Sequence, residues 1–381
     1  MTKARGKIDA LILLMVVILV IFGVVMVFSA SFYSTISANE GPYYYLSLAV
    51  RYAVVGFILM IIASFVPYRI YMKFAPAIVA LSLFLLLILY TPLGHEAGGA
   101  TRWIKIGSLT FMPGEWAKFA VIVGVAWYYT KYADRAKSFL HGFLPVAVGA
   151  AVYFYLIEEE PNLSTALIIV LTALVMMFIA GVRIAYLAGI AALGFAGIFY
   201  MIQSAQGEHL TRITNFWDPF SDAQGDFYQT VQGLLALGSG GLTGVGLGNS
   251  VEKALWLPEA QNDFIFAIIG EETGFIGCIL VLVAYIILIW RCMLIAMRSK
   301  DRFAVLTGGG ISILFALQVI LNIGVVTASL PPTGVILPFI SYGGNAIILF
   351  MFLMGIMLNI SRGDASEAPG RRSRPRQESA G

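Results

Sequence analysis

Residues 238–272 read GSGGLTGVGLGNSVEKALWLPEAQNDFIFAIIGEE, and their reading decides the rest of the chain. A glycine-rich loop gives way to charged residues, then to Pro258, and then to a long apolar run. That run carries Asp263 at its mouth and Glu271 and Glu272 farther in. Were it a membrane helix, each ionised carboxylate inside it would cost roughly 2–3 kcal/mol to insert. Acids retained against such a penalty call for partners elsewhere in the chain.

Composition supports the membrane reading. Of 381 residues, 59% are hydrophobic and 12% charged, and mean hydropathy is +0.87. Soluble domains carry about twice that charged fraction. The net charge of +3 says little, because the charges are sorted by side. Cys278 and Cys292 are too sparse for a disulfide framework or a zinc site, and His95, His141 and His209 show no ligand spacing.

Working outward, Lys3, Arg5 and Lys7 precede an apolar run from Ile8 to Ala30, too long for the core of a cleaved signal. Further spans follow at Tyr45–Phe65, Phe74–Tyr90, Glu115–Thr130, His141–Ile157, Leu163–Ala180, Ile184–Ile202, Asp263–Trp290, Phe303–Val326 and Val335–Ile360. The expected fold is an all-α polytopic membrane protein with ten transmembrane helices. A large extracellular loop, residues 203–262, joins the seventh and eighth spans. With the N-terminus in the cytoplasm, the inside segments hold 18 of the 24 Lys and Arg residues. Nine or eleven spans would put basic loops on the wrong side, so both ends are expected inside. The membrane domain is read as residues 1–362, and residues 363–381 as a disordered basic cytoplasmic tail able to touch anionic lipid.

Several residues can carry chemistry. Asp263 reads either as a helix N-cap or as a general base at the rim of a cavity. The two are in tension, because a helix N-terminus lowers a carboxylate's pKa. Glu271 lies eight residues on, about 12 Å along the same face, and is expected to pair with a cation from another helix. Glu115 and Lys118 sit three apart at the mouth of the fourth span and can pair on one face. With Arg102 and Lys253 they offer cations to an anionic substrate such as a pyrophosphate, or else a structural ion pair. The glycines match no phosphate-binding fingerprint and read as tight turns. LPPTGVILPFISYGGNA (330–346), with Ser341 and Tyr342, reads as re-entrant backbone lining a cavity.

FGVVMVFSAS (22–31), RWIKIG (102–107), PGEWAK (113–118), GLTGVGLGNS (241–250), LPEAQNDFIFAIIGEETG (257–274) and PPTGVILPFISYGG (331–344) occur in an order that resembles the SEDS family of shape, elongation, division and sporulation proteins. The wording is closer to the FtsW/SpoVE branch than to RodA. The resemblance implies a peptidoglycan glycosyltransferase of the bacterial cytoplasmic membrane that polymerises lipid II on the outer face. It implies work beside a class B penicillin-binding protein and other division or elongation proteins, with undecaprenyl-linked glycan as product and no nucleic acid. Asp263 matches the family's essential aspartate. Arg102, Glu115, Lys118 and Glu271 match its cavity residues, Lys253 and Ser341 join them as substrate-binding candidates, and a divalent cation, Mg or Mn, is an open option. The chain departs from the family at Gly114 (usually Ser), at Glu160-Pro161-Asn162-Leu163-Ser164 (usually Gln-Pro-Asp-Leu-Gly) and at Asn345-Ala346 (usually Ser-Ser). Two rival readings are a lipid II transporter and a non-catalytic scaffold for the penicillin-binding protein.

Overall fold

The structure, a computed structural model, describes residues 6–97, 100–106, 109–204, 216, 218–225 and 227–363. The expected basic tail, but for Gly363, and part of the long loop lie outside them. Seven helices come first: α1 (Ala10–Ser37), α2 (Tyr44–Phe65), α3 (Tyr68–Ile88), α4 (Pro113–Lys131), α5 (Leu144–Glu158), α6 (Leu163–Ala180) and α7 (Ile184–Ser204). A short α8 (Tyr228–Ser239) lies in the long loop, and α9 (Ile265–Arg298), α10 (Arg302–Val326) and α11 (Gly344–Ser361) complete the bundle. Eight helices among the described residues are long and apolar enough to cross a membrane, α5 by including its π-helical first turn from Phe139. The other two expected spans are α4, which carries Glu115, Lys118 and Lys131, and α7, which counts as a shorter apolar helix over Ile184–Gly194.

The centre of the bundle is α10 and α11. Of their most apolar stretches 67% and 72% of residues are buried, against 17% for α3, which mostly faces outward. α11 lies along α2, α9 along α10 and α1, and α4 and α6 against α10. Between α3 and α4, where Thr101, Trp103, Ile104 and Ile106 supply β-branched and aromatic residues, a three-stranded antiparallel sheet forms: β1 (Gly94–Ala97), β2 (Ala100–Ile106) and β3 (Leu109–Phe111). The all-α expectation thus holds for the spans, while the loop adds a small sheet.

Besides α1, which runs on to Ser37 rather than ending at Ala30, three boundaries move by more than two residues. The third span begins at Tyr68 rather than Phe74, because Arg69 and Lys73 stay exposed at the helix end, their charges over the rings of Tyr68 and Phe74. The tenth begins at Gly344 rather than Val335. Pro331, Pro332 and Pro338 cannot donate helical hydrogen bonds, and Phe339 adopts a φ of 68°, so residues 331–343 run as irregular backbone. Val335, Leu337, Phe339, Ile340 and Ser341 are buried there, as backbone at membrane depth requires. Gly23 of α1 makes room for it: a Cβ there would collide with the Phe339 carbonyl and lie 2.7 Å from Ile340 Cα.

The third shift concerns the opening stretch. α9 runs on to Arg298 but breaks at Gly274, where φ is 69° and ψ −170°, a conformation open essentially only to glycine. The break frees backbone groups, and the glycine loop takes them up. Val245 donates to the Glu271 carbonyl (2.9 Å) and Gly246 to that of Glu272 (3.1 Å), while Phe275 donates to Gly241 (2.9 Å) and Ile276 to Leu242 (3.2 Å). A Cβ on Gly244 would sit 2.6 Å from Thr273 N, and one on Gly274 2.6 Å from Leu242 O. The glycines therefore do more than turn: they bring one backbone against another inside a broken helix.

Candidate active site

Asp263 sits two residues before α9. It does not cap the helix; Phe264 takes that position, without a side-chain hydrogen bond. Its backbone carbonyl accepts from Asn322 Nδ2 of α10 at 2.7 Å, and the same amide donates to the Val335 carbonyl at 2.7 Å. One buried amide thus stitches the irregular 331–343 segment to Asp263, and a Cβ on Gly334 would lie only 3.8 Å from Asp263 Oδ2. Tyr342 N donates to the Gln261 carbonyl at 2.8 Å, and its ring packs edge-on against Tyr45 at 4.8 Å, so the same segment is pinned at a second point.

Burial is the largest influence on this carboxyl and raises it. Glu259 also raises it, the Asp263 and Phe264 N–H groups pull the other way, and the net position is about 6. No ion pair joins Asp263 to a cation among the described residues. Geometry removes the cap alternative: the carboxylate stands half-buried and off the helix, with Phe264 in the cap position.

Arg102 stands on β2, half-buried, and its guanidinium clamps the α5–α6 turn, Nε donating to the Glu160 carbonyl at 3.0 Å and Nη2 to that of Pro161. The Glu160 side chain is buried with neither carboxylate oxygen hydrogen-bonded, and burial pushes it up to about 8 against the pull of Arg102. The departure at Asn162 has a simple account. Its Oδ1 accepts from Thr165 N at 3.4 Å and caps α6, a role Asn fills as well as Asp. Glu115 and Lys118 do pair, at 2.8 Å, with side chains 8% and 2% exposed, and Glu115 Oε2 is left without a partner.

The cation expected for Glu271 meets Glu272 instead, and it comes from the loop rather than from another helix. Glu271 pairs with no cation from another helix; its carboxylate accepts from Val251 N at 2.8 Å, from Glu252 N at 3.4 Å and from the Ser250 hydroxyl. It is Glu272 that pairs, with Lys253 of the loop at 2.6 Å, while Ser29 of α1 donates to the same oxygen at 2.6 Å. Lys253 is buried and its ammonium engaged, so it is withdrawn from the cations offered to a substrate. Ser341 accepts from Leu337 N at 2.8 Å and braces the 337–341 turn, buried within it. The structure thus brings Glu115 to Lys118, and gathers Lys253 and the two α9 glutamates into one lock. It sets Asp263 apart with Asn322 and the 331–343 segment. Asn322 escaped the sequence reading, although a lone amide in an apolar span is itself a signal. Among the described residues no three His, Cys, Asp or Glu side chains stand together to hold a metal, and Glu259 Oε2 is occupied by Gln261 and Asn262.

The sequence model of the FtsW/RodA/SpoVE family, described as cell cycle protein, matches residues 9–366. A probable peptidoglycan glycosyltransferase FtsW from Geobacter sp. (strain M18) is 37% identical over 95% of this chain and 98% of its own. Stage V sporulation protein E from Bacillus subtilis (strain 168) is 35% identical over 95% and 99%. Among solved structures, a chain described in work on structural coordination of polymerization and crosslinking by a peptidoglycan synthase complex superposes with a TM-score of 0.79 at 23% identity, over 93% of this chain and 98% of that one.

Proposed function

The chain belongs to the FtsW/RodA/SpoVE family of multi-pass membrane proteins, and on that premise we propose that it is a peptidoglycan glycosyltransferase that polymerises lipid II. The observation that carries this reading is Asp263: a half-buried carboxylate with no cation partner, raised to about 6, held at a helix mouth by Asn322. In an inverting transfer it takes the proton from the 4-hydroxyl of the acceptor N-acetylglucosamine as that oxygen attacks C1 of the donor N-acetylmuramic acid. Undecaprenyl pyrophosphate leaves. Arg102, whose guanidinium is held by backbone carbonyls rather than by a carboxylate in an ion pair, is the cation we assign to the leaving pyrophosphate; Lys118, buried and paired with Glu115, is withdrawn as Lys253 is.

Basic residues gather at the end of the bundle that holds both described termini, which supports cytoplasmic ends and chemistry on the outer face. The partner is a class B penicillin-binding protein, in keeping with the synthase complex to which the fold is similar. The test is purified chain with that partner, given lipid II: glycan strands are expected. Lipid II moving across liposomes with no polymer would instead make the chain a transporter. Polymer formed only by the partner, unaffected by changes at Asp263, would make it a scaffold.

A further inference from the structure

At the end of the bundle opposite Asp263, α1 and α3 begin, and α9 and α11 end, around a pocket of about 290 Å³. That volume lies near the lower end of the ~300–1,000 Å³ usual for small-ligand sites. Five cations line it (Lys7, Arg69, Arg291, Arg298 and Lys300) against two carboxylates, Asp9 and Asp301, for a net +3. Both carboxylates are already committed. Asp9 caps α1 through Ile12 N at 3.1 Å and binds Arg291 at 2.7 Å. Asp301 caps α10 through Phe303 N at 2.9 Å and binds Arg69 at 3.3 Å. Lys7 and Arg298 are exposed and have no ionic partner among the described residues. The N-termini of α1, α3 and α10 add their positive ends to the same rim.

We propose that this pocket binds the phosphate-bearing headgroup of an anionic phospholipid. Its charge selects a phosphate. The lining also includes Ile8, Ile295 and Ile360, and the nearby α9 surface exposes Trp290 (57%) and Met297 (62%), an apolar track for the attached chains that a soluble phosphate would not use. A general excess of basic residues at one membrane face would spread its charge evenly; here it converges from three chain segments on one concavity. The inference rests on the membrane placement of the bundle. It is read by binding alone, so it stands or falls separately from the polymerase reaction and from which face is cytoplasmic.

The experiment titrates the purified full chain in detergent with short-chain phosphatidylglycerol, with phosphatidylcholine as the neutral arm and inorganic phosphate as competitor. Preference for phosphatidylglycerol is expected. Lys7→Gln with Arg298→Gln should weaken it roughly 25-fold, about fivefold for each cation near an anionic headgroup. Both side chains are exposed and unpaired, so the variant should fold, as circular dichroism checks. The control pair Lys137→Gln with Arg183→Gln, exposed at the same end but outside the pocket, should bind as wild type. Equal binding of the two lipids, or equal loss in the control pair, would overturn the site. Displacement by inorganic phosphate at concentrations matching the lipid's would overturn the lipid as its ligand.

Discussion

Lys253→Met tests whether the glycine-rich loop is locked onto the broken α9 by a buried charge pair. In the wild type the Lys253 and Glu272 side chains are 2% and 0% exposed and meet at 2.6 Å. Glu272 Oε2 already has no partner, so removing the ammonium leaves a buried carboxylate with only the Ser29 hydroxyl. Breaking one half of such a pair costs about 3–5 kcal/mol. The loop can open without unfolding the bundle, so that energy should appear as easier local opening, which is a factor of at least about 100 in the open population. Hydrogen exchange of residues 244–252 reads it directly, because Val245, Gly246 and Val251 donate their N–H groups to Glu271 and Glu272. Lys253→Met should therefore lose about two orders of magnitude of protection there. Lys253→Met combined with Glu272→Leu should recover most of it, since an apolar pair of similar volume is often neutral relative to a buried ion pair. Unchanged protection in the single variant, or no recovery in the double, would refute the lock.

Other outcomes are equally open to measurement. With the Asp263 carboxyl at about 6 and its base form active, the initial polymerisation rate should rise with pH to a plateau above 7 and fall about tenfold per unit well below 6; a rate flat down to pH 4.5 would contradict that role. Gly274→Ala should destabilise the protein by at least about 1–3 kcal/mol, seen as a lower melting temperature in detergent, because an L residue is strained at that φ and ψ. Gly238→Ala, with open space around its Cβ position, should be near neutral. Asn322→Ala orphans the Asp263 and Val335 carbonyls and should lower kcat far more than it raises KM, since it repositions the base without touching substrate. Wild-type kcat would exclude that positioning role.

Much of the fold was legible because the apolar runs are long and the basic residues sort to one end. What escaped depended on tertiary partners. Val335–Ile340 is apolar enough to read as helix, but three prolines and a positive φ at Phe339 keep it irregular, and only the packing of Gly23 shows where it goes. The glycines of 238–248 read as turns because their reason, the carbonyls freed by the break at Gly274, lies thirty residues on in the chain. Periodicity placed Glu271 and Glu272 correctly inside a span, yet could not say which would meet Lys253, since that choice is set by how the loop folds back. At the site, Asp263 and the Glu115–Lys118 pair were visible from residue type and spacing. Asn322 and the position of Asp263 outside the helix cap required the geometry.

The most direct measurement is polymerisation of lipid II by purified Asp263→Asn chain together with its class B penicillin-binding partner, beside wild type under the same conditions. Asparagine keeps the shape, so detergent melting and hydrogen exchange should match wild type. Glycan strands should form with wild type and be lost with Asp263→Asn. Strands of wild-type length and rate from the folded variant would contradict the account.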